Sequence, residues 1–140
     1  MTKILIIKSE GHPVRQLRDE HLEKIKATVP EVEIVAVSDT KEIAQHVADA
    51  DIVACSPRDF PSIENAKNLK WVHSFSAGVD RILTPEVKNS DIVLSNSSGI
   101  HATPIAEHVI GFMLIFTRGF FDTFRNQQKK VWQKNEGVTE

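Results

Sequence analysis

Five short apolar runs, each separated from the next by a segment of helical character, constrain the fold of this chain more than any other feature. The runs lie at residues 4–7, 31–38, 51–56, 69–76 and 92–95. Short apolar runs of this kind are typical of buried strands, and strands that alternate with helices form parallel sheets. The pattern therefore predicts an α/β fold, with five parallel strands and helices on both faces of the sheet.

The segments between these runs have the apolar spacing of short amphipathic helices. Helices are predicted at residues 14–29, 41–50, 62–68 and 81–89. In the second of them Ile43, Ala44 and Val47 are expected to face inward, behind Asp39 or Thr40 as the N-cap. These connections predict a flavodoxin-like, doubly wound sheet of order 2-1-3-4-5. Its ligand crevice is expected at the carboxyl ends of strands one, three and four.

The C-terminal part of the sequence predicts one long helix over residues 103–134. Thr103 is the expected N-cap, and Pro104 suits the first helical position because no amide proton is needed there. Residues 109–116 are apolar on every face, so this helix must be covered on more than one side. Eight apolar residues are too few for a bilayer, which needs roughly 18 or more. The predicted division is a sheet domain at 1–102, the helix at 103–134 and a frayed tail at 135–140.

Charge and cysteine content exclude several classes of function. A formal net charge of −2 gives no reason to expect nucleic-acid or membrane partners. The single cysteine, Cys55, excludes an internal disulfide and a cysteine-based zinc site, and we expect no bound metal. The N-terminal apolar stretch is too short for a signal peptide, so we expect a cytoplasmic protein.

Two loops at the predicted carboxyl edge of the sheet carry candidate binding residues. Ser76-Ala77-Gly78 follows a strand directly, and small residues there would let successive backbone amides hold an anion such as a carboxylate. Alternatively, Gly78 only relieves φ in a tight turn. Arg58 could bind a carboxylate through two hydrogen bonds, or could be an ordinary solvated arginine.

His101 lies between the last predicted strand and the long helix. It could donate a hydrogen bond to a ligand or titrate near neutral pH, or it could help to cap the helix. The usual nucleotide-binding loops are absent, because the sequence contains neither Gly-x-Gly-x-x-Gly nor a phosphate loop that ends in Gly-Lys-Ser or Gly-Lys-Thr. The first strand also lacks the acidic pair of a phospho-accepting receiver and the loop that holds a flavin phosphate.

Two blocks of sequence resemble the D-isomer-specific 2-hydroxyacid dehydrogenases. The first is Leu69-Lys70-Trp71-Val72 through Ser76-Ala77-Gly78-Val79-Asp80, and the second is Leu94-Ser95-Asn96-Ser97-Ser98-Gly99-Ile100-His101 with Ile105-Ala106-Glu107-His108. The resemblance covers the whole chain but only the first part of that family's protein. It implies that the amides of Ala77 and Gly78 hold the substrate carboxylate, that His101 lies near substrate and nicotinamide, and that Ile105 lies against the cofactor. It also implies that the loop of Arg58 borders the substrate.

The same resemblance implies a discontinuous substrate domain that flanks an inserted NAD- or NADP-binding domain. The family's catalytic arginine, glutamate and histidine match no residue of this chain, so no catalytic residue is assigned and we expect the chain alone to be inactive. The expected partners are a small 2-oxo or 2-hydroxy carboxylic acid and a second copy of the chain, bound through residues 109–124. Two other readings remain open: a stand-alone module that binds small carboxylates, and a self-associating scaffold domain.

Overall fold

The computed structural model describes residues 1–9 and 17–133, and its five strands form one parallel sheet in the order β2-β1-β3-β4-β5. The strands are β1 (Thr2–Ile7), β2 (Val32–Val37), β3 (Ile52–Cys55), β4 (Trp71–Ser74) and β5 (Val93–Asn96). All four neighbouring pairs run parallel, with Ile4 opposite both Ile34 and Ile52. The predicted fold class and strand order are therefore confirmed.

Three helices connect the strands of this sheet. They are α1 (Asp19–Thr28), α2 (Thr40–Val47) and α3 (Pro85–Lys88). The Asp39 carboxylate caps α2 by accepting from the amides of Lys41 and Glu42 at 2.8 and 3.2 Å, as predicted. The Thr84 hydroxyl caps α3 in the same way. Residues 62–68 form turns rather than the short helix predicted there, because Pro61 and the small, polar residues around it favour turns.

The sheet belongs to a compact unit, Met1–Ser98, with an apolar core. Its fully buried side chains include Leu5, Val53, Val72 and Ile82, which come from three strands and the segment before α3. Lys3 is buried as well, and its Nζ lies 2.6 Å from the Asp49 carboxylate. This unit positions the carboxyl ends of all five strands on one edge.

The second compact unit, Gly99–Glu140, contains α4 (Ala102–Thr117) and α5 (Phe120–Gln128) instead of the single helix predicted over 103–134. The break lies at Gly119, whose φ of 63° and ψ of 33° are left-handed. A glycine adopts this conformation at little cost, so it ends a helix readily. The axes of α4 and α5 differ by 68°.

The start of α4 also differs from the prediction. His101, not Thr103, occupies the N-cap position, and its side chain makes no capping hydrogen bond. Thr103 and Pro104 lie inside the first turn, where a missing amide proton costs nothing because the first amides of a helix have no intrahelical acceptor. The predicted start of α1 at residue 14 and the predicted frayed tail at 135–140 lie outside the described residues.

Within the described residues, no single helix has both the length and the apolar composition needed to cross a membrane. The bent pair of α4 and α5 meets that test only when the two helices are counted together.

Candidate functional site

The loop of Ser76, Ala77 and Gly78 directly follows β4 at the carboxyl edge of the sheet. Gly78 is exposed, and its φ is not in the left-handed region, which among the described glycines only Gly99 and Gly119 adopt. Relief of φ therefore does not explain this glycine. A Cβ built on Gly78 would meet no atom within 4 Å, so the missing side chain leaves open space beside the loop backbone.

The backbone acceptors of this loop are all engaged by neighbouring groups. The Ser76 carbonyl accepts from the Ser97 amide at 3.3 Å and from the buried hydroxyl of Ser74 at 3.0 Å. The Ala77 carbonyl accepts from the side-chain amide of Asn96 at 2.7 Å. The Gly78 carbonyl lies 3.4 Å from the same Ser74 hydroxyl and shares its single proton with the Ser76 carbonyl. Hydrogen bonds to its backbone carbonyl oxygens thus hold the loop in place.

The backbone donors of the loop are used differently. The Ser76 amide donates to Ser74 Oγ at 3.2 Å. The amides of Ala77 and Gly78 donate to no acceptor within residues 1–9 and 17–133. A loop that retains two successive free donors and no free acceptor is suited to an anion, because an anion supplies only acceptors.

A chain of side-chain hydrogen bonds supports the loop from β4 and β5. The indole of Trp71 can only donate, so Ser95 Oγ accepts from it at 2.8 Å, and the same oxygen lies 2.9 Å from Nδ1 of His73. Nε2 of His73 lies 3.5 Å from Ser97 Oγ. The Ser97 hydroxyl donates to the Ser74 carbonyl at 3.1 Å. Burial lowers the pKa of His73 and so favours its neutral form.

Sequence reasoning did not assign these supporting residues. Asn96 and Ser97 stand in a motif that the sequence analysis quotes, but their contacts with Ala77 and Ser76 depend on the pairing of β4 with β5. The available signal was a row of polar side chains at the ends of two strands that are otherwise apolar. His73 itself is half-buried on β4.

Arg58 lies elsewhere on the same edge. Its side chain is exposed and lines a cavity of about 580 Å³ between the carboxyl end of β1, helix α2 and the loop of residues 58–65. We call this space the α2 cavity. Ser76, Ala77 and Gly78 do not line it, and no hydrogen bond or ion pair within the described residues joins Arg58 to them.

Cys55 is the last residue of β3, between the Ser76–Gly78 loop and the α2 cavity. Its thiol is unreactive. Burial, together with the nearby Asp59 carboxylate, raises its pKa to about 12. A thiol with so high a pKa is almost wholly protonated at neutral pH, and the thiolate is the reactive form. No cluster of three or more histidine, cysteine, aspartate or glutamate side chains that could hold a metal occurs in the described parts of the chain.

His101 and Ile105 belong to the second compact unit. The His101 carbonyl accepts from the Ile105 amide at 3.0 Å, but its imidazole does not cap the helix. Both side chains are exposed, with Ile105 at 59% of its full accessibility. An isoleucine that exposed in the first turn of a helix has an apolar surface to offer a ligand or partner.

Comparison with protein families identifies the catalytic-domain model of D-isomer specific 2-hydroxyacid dehydrogenases, which matches residues 4–140. Hydroxypyruvate reductase of Thermotoga maritima is 28% identical over 135 residues, a stretch that covers 95% of this chain and 38% of that protein. The chain therefore spans about two-fifths of the length of this relative.

Two solved structures share the fold. A D-isomer specific 2-hydroxyacid dehydrogenase family protein from Aeromonas salmonicida has a TM-score of 0.76 and 22% identity, covering 97% of this chain and 42% of that one. NAD-dependent formate dehydrogenase from Staphylococcus aureus, in complex with NAD, has a TM-score of 0.61 and 21% identity, covering 94% and 43%. In both cases the match includes less than half of the solved chain.

Proposed function

The chain belongs to the family of D-isomer specific 2-hydroxyacid dehydrogenases, and from that membership we propose that it is the substrate-domain portion of an NAD- or NADP-dependent enzyme. The reaction would interconvert a small 2-oxo acid and a D-2-hydroxy acid. The observation that carries this proposal is the pair of free amides at Ala77 and Gly78, in a loop whose carbonyls are all engaged. The substrate carboxylate is the anion that would take these donors.

The loop is suited to this task because its geometry is set before a ligand arrives. Ser74 and Asn96 hold its carbonyls, and Ser97 is held in turn by His73. A preformed pair of donors binds without the entropic cost of ordering a flexible loop. Gly78 leaves room for a carboxylate to approach the backbone closely.

Three further residues keep roles that the family resemblance implies. Arg58 would border the substrate, His101 would lie near the substrate and the nicotinamide, and Ile105 would contact the cofactor. The exposure of all three side chains supports these roles in so far as each can reach a ligand. The name of the relative from Thermotoga maritima, hydroxypyruvate reductase, is in keeping with a small 2-oxo acid as substrate.

The cofactor would supply or accept the hydride at the carbon that bears the oxo or hydroxyl group. The residues of this chain do not fit a dinucleotide of the usual kind, because no two of its six glycines have the Gly-x-Gly spacing. The loop after β4 offers two donors, enough for a carboxylate but not for a pyrophosphate with two riboses. Turnover would therefore depend on a separate dinucleotide-binding domain.

We also propose a homodimer formed through α4 and α5, and a cytoplasmic location. The support for the dimer is a set of exposed apolar side chains on these helices: Val109, Ile110, Phe112, Met113, Leu114, Phe116, Phe120, Phe121 and Phe124. Each such side chain gains roughly 1.5–3 kcal/mol when it is fully buried. A cytoplasmic location suits the one cysteine and its unpaired thiol.

Binding of oxalate or glyoxylate, followed by amide chemical shifts, tests the proposed substrate loop. Shifts should centre on residues 76–79. Gly78→Ala should weaken binding about tenfold, since its methyl group stands where the ligand approaches the free amides. The added methyl group meets nothing in the free chain, so the fold should be unchanged. Gly111→Ala adds a methyl group into open space on α4 and should not alter binding.

Shifts that centre on the lysines near residue 130, or equal affinities of Gly78→Ala and the unchanged chain, would remove the basis of the proposal. A second measurement mixes the chain with NADH and pyruvate, glyoxylate or hydroxypyruvate. We expect no turnover above the blank. Turnover that survives repurification would contradict the expected dependence on a separate dinucleotide-binding domain.

A further inference from the structure

The α2 cavity has an apolar wall that remains partly exposed to solvent. Ile43, Ala44 and Val47, the residues of α2 predicted to face inward, all line it. Only Val47 is buried, while Ile43 is half-buried and Ala44 is exposed. Phe60 faces the same space from the loop after β3. An apolar group placed in the cavity would thus remove apolar surface from water on both sides.

The rim of the cavity carries two cations that lack a counter-charge. Lys8 and Arg58 both line it, and neither forms a salt bridge with any residue that the structure describes. Lys8 is fixed at the end of β1 because its amide donates to the Val37 carbonyl at 2.8 Å. Two such cations beside an apolar wall favour a ligand that is negative at one end.

Among the described residues that line the cavity, Asp59 is the one acid, and it already accepts a hydrogen bond. The Asp59 carboxylate accepts a short hydrogen bond from the Ser9 hydroxyl. Since that proton is committed, the Ser56 hydroxyl must be the donor in its 3.0 Å contact with Ser9. Lys8, Arg58 and Asp59 together give the described part of the lining a net positive charge, and the side chains of Ser38 and Ser62 add hydroxyl donors near it.

We propose that the α2 cavity binds a small organic anion, a carboxylate or a phosphate ester with an apolar group, at a site of its own. Lys8 and Arg58 bind the anionic end, and Ile43, Ala44 and Phe60 contact the apolar end. A volume of about 580 Å³ lies within the range of small-molecule sites. The cavity shares no lining residue with the Ser76–Gly78 loop. Arg58, which the family resemblance places at the border of the substrate, is the one residue that the two proposals have in common.

Phenyl phosphate is a suitable probe, with benzyl alcohol as its uncharged counterpart. Amide shifts on titration should centre on Lys8, Thr40 and Ser62, should saturate, and should weaken as the salt concentration rises. Benzyl alcohol should bind at least about tenfold more weakly, because it lacks the charged hydrogen bonds. Shifts that centre on α4 and α5 instead would mean that the probe prefers the exposed apolar helices, and would overturn the proposal.

Variants separate this site from the substrate loop. Lys8→Ala with Arg58→Ala should raise the Kd for phenyl phosphate about tenfold or more. Arg81→Ala with Lys88→Ala also removes one arginine and one lysine charge, but from exposed positions outside the lining. This variant should change the Kd for phenyl phosphate less than about twofold. Ala44→Leu, at an exposed helix position, should occupy part of the cavity and weaken binding without any change of charge.

Gly78→Ala should leave phenyl phosphate binding intact, even where it weakens the binding of oxalate. If Gly78→Ala and Arg58→Ala both weaken the probe while Lys8→Ala does not, then Arg58 serves the substrate loop and the separate site is refuted. Absence of saturable binding at millimolar probe refutes it as well. Neither result bears on the free amides of Ala77 and Gly78, which oxalate tests directly.

Discussion

The two compact units of this protein use apolar residues in opposite ways. In Met1–Ser98, side chains such as Leu5, Val53 and Val72 are completely buried. In the unit that begins at Gly99, neither α4 nor α5 contains a buried residue, although residues 109–116 of α4 are apolar on every face. Phe116 keeps 70% of its accessibility. The difference teaches that apolar content alone does not make a core, because a core needs a second layer on the other side.

The comparison also separates two kinds of stability. Burial in the sheet unit stabilises the fold of one chain, whereas the exposed side chains of α4 and α5 can contribute only when something else covers them. The following variants test that separation, and the first two do so directly.

The largest effect is expected from Phe116→Asp combined with Phe120→Asp. If these helices form the dimer interface, the variant loses about 3–6 kcal/mol of association free energy, from two phenylalanines at about 1.5–3 kcal/mol each. Light scattering should show twice the monomer mass for the unchanged chain, and monomer or aggregate for the variant. Gln127→Glu with Gln128→Glu adds two charges at exposed polar positions and should remain dimeric. An unchanged chain that is monomeric at high micromolar concentration would refute the dimer.

Isoleucine truncated to alanine in each unit gives a matched pair. Ile7→Ala, in the buried core, should lower the free energy of unfolding in urea by about 2–5 kcal/mol through lost burial and a residual cavity. Ile110→Ala, at a position 56% exposed on α4, should cost less than about 1 kcal/mol at concentrations where the chain is monomeric. If Ile110→Ala lowered the free energy of unfolding as much as Ile7→Ala at low concentration, α4 would be covered in solution without a partner. The contrast between the two units would then fail.

Gly119→Ala should alter the break between α4 and α5. Alanine disfavours the left-handed conformation by about 1–2 kcal/mol and favours a continuous helix over glycine by about 1 kcal/mol. Spin labels at Glu107→Cys and Gln127→Cys should therefore move apart as the 68° bend opens. Cys55 should stay unlabelled because it is buried and its thiol pKa is about 12. Gly111→Ala in the middle of α4 should leave the distance unchanged, and an unchanged distance in Gly119→Ala would mean that other contacts set the bend.

The smallest effect concerns the pH dependence contributed by His73 in the sheet unit. Burial lowers its pKa below the ordinary value of 6.5, so the unfolded chain binds this proton more tightly than the folded one. Stability from this group is complete above pH 6.5 and declines as the pH falls toward the folded pKa. His73→Gln keeps a hydrogen-bond donor and an acceptor. In this variant the midpoint of urea unfolding should fall less steeply as the pH is lowered from 7.5 to 5.5.

His21→Gln, in α1, is the control for that measurement and should keep the slope of the unchanged protein. The carboxyl groups of Asp49 and Asp51 do not interfere. The hydrogen bonds from Lys3 and Lys70 lower the pKa values of these two groups below 3.8, so they lose stability only at more acidic pH. If His73→Gln leaves the slope as steep as before, another group is responsible.

The sheet could be predicted because its information is local. Each strand is a short apolar run, and the caps at Asp39 and Thr84 lie beside the helices that they start. The break at Gly119 was missed for the opposite reason. The apolar and aromatic spacing continues across it, and a single glycine in such a pattern is compatible with either a continuous helix or a stop.

The candidate site could be predicted only in part. The position of Ser76-Ala77-Gly78 after a strand was enough to suggest a binding loop, but its free amides could be identified only once the acceptors of Ser76, Ala77 and Gly78 were seen to be engaged. Whether Arg58, His101 and Ile105 bind substrate or cofactor stays a prediction. The α2 cavity had no sequence signal, because Lys8 and Arg58 are 50 positions apart.

The sequence by itself determined which segments become strands, their order in the sheet and the small residues of the loop after β4, since all of these follow from spacing and from rules of chain connection. Only the tertiary structure decided which polar groups are satisfied. It brought Asn96 to the Ala77 carbonyl and opened the space against Ala44, because hydrogen bonds and cavities depend on residues that are distant in the chain but adjacent in the fold.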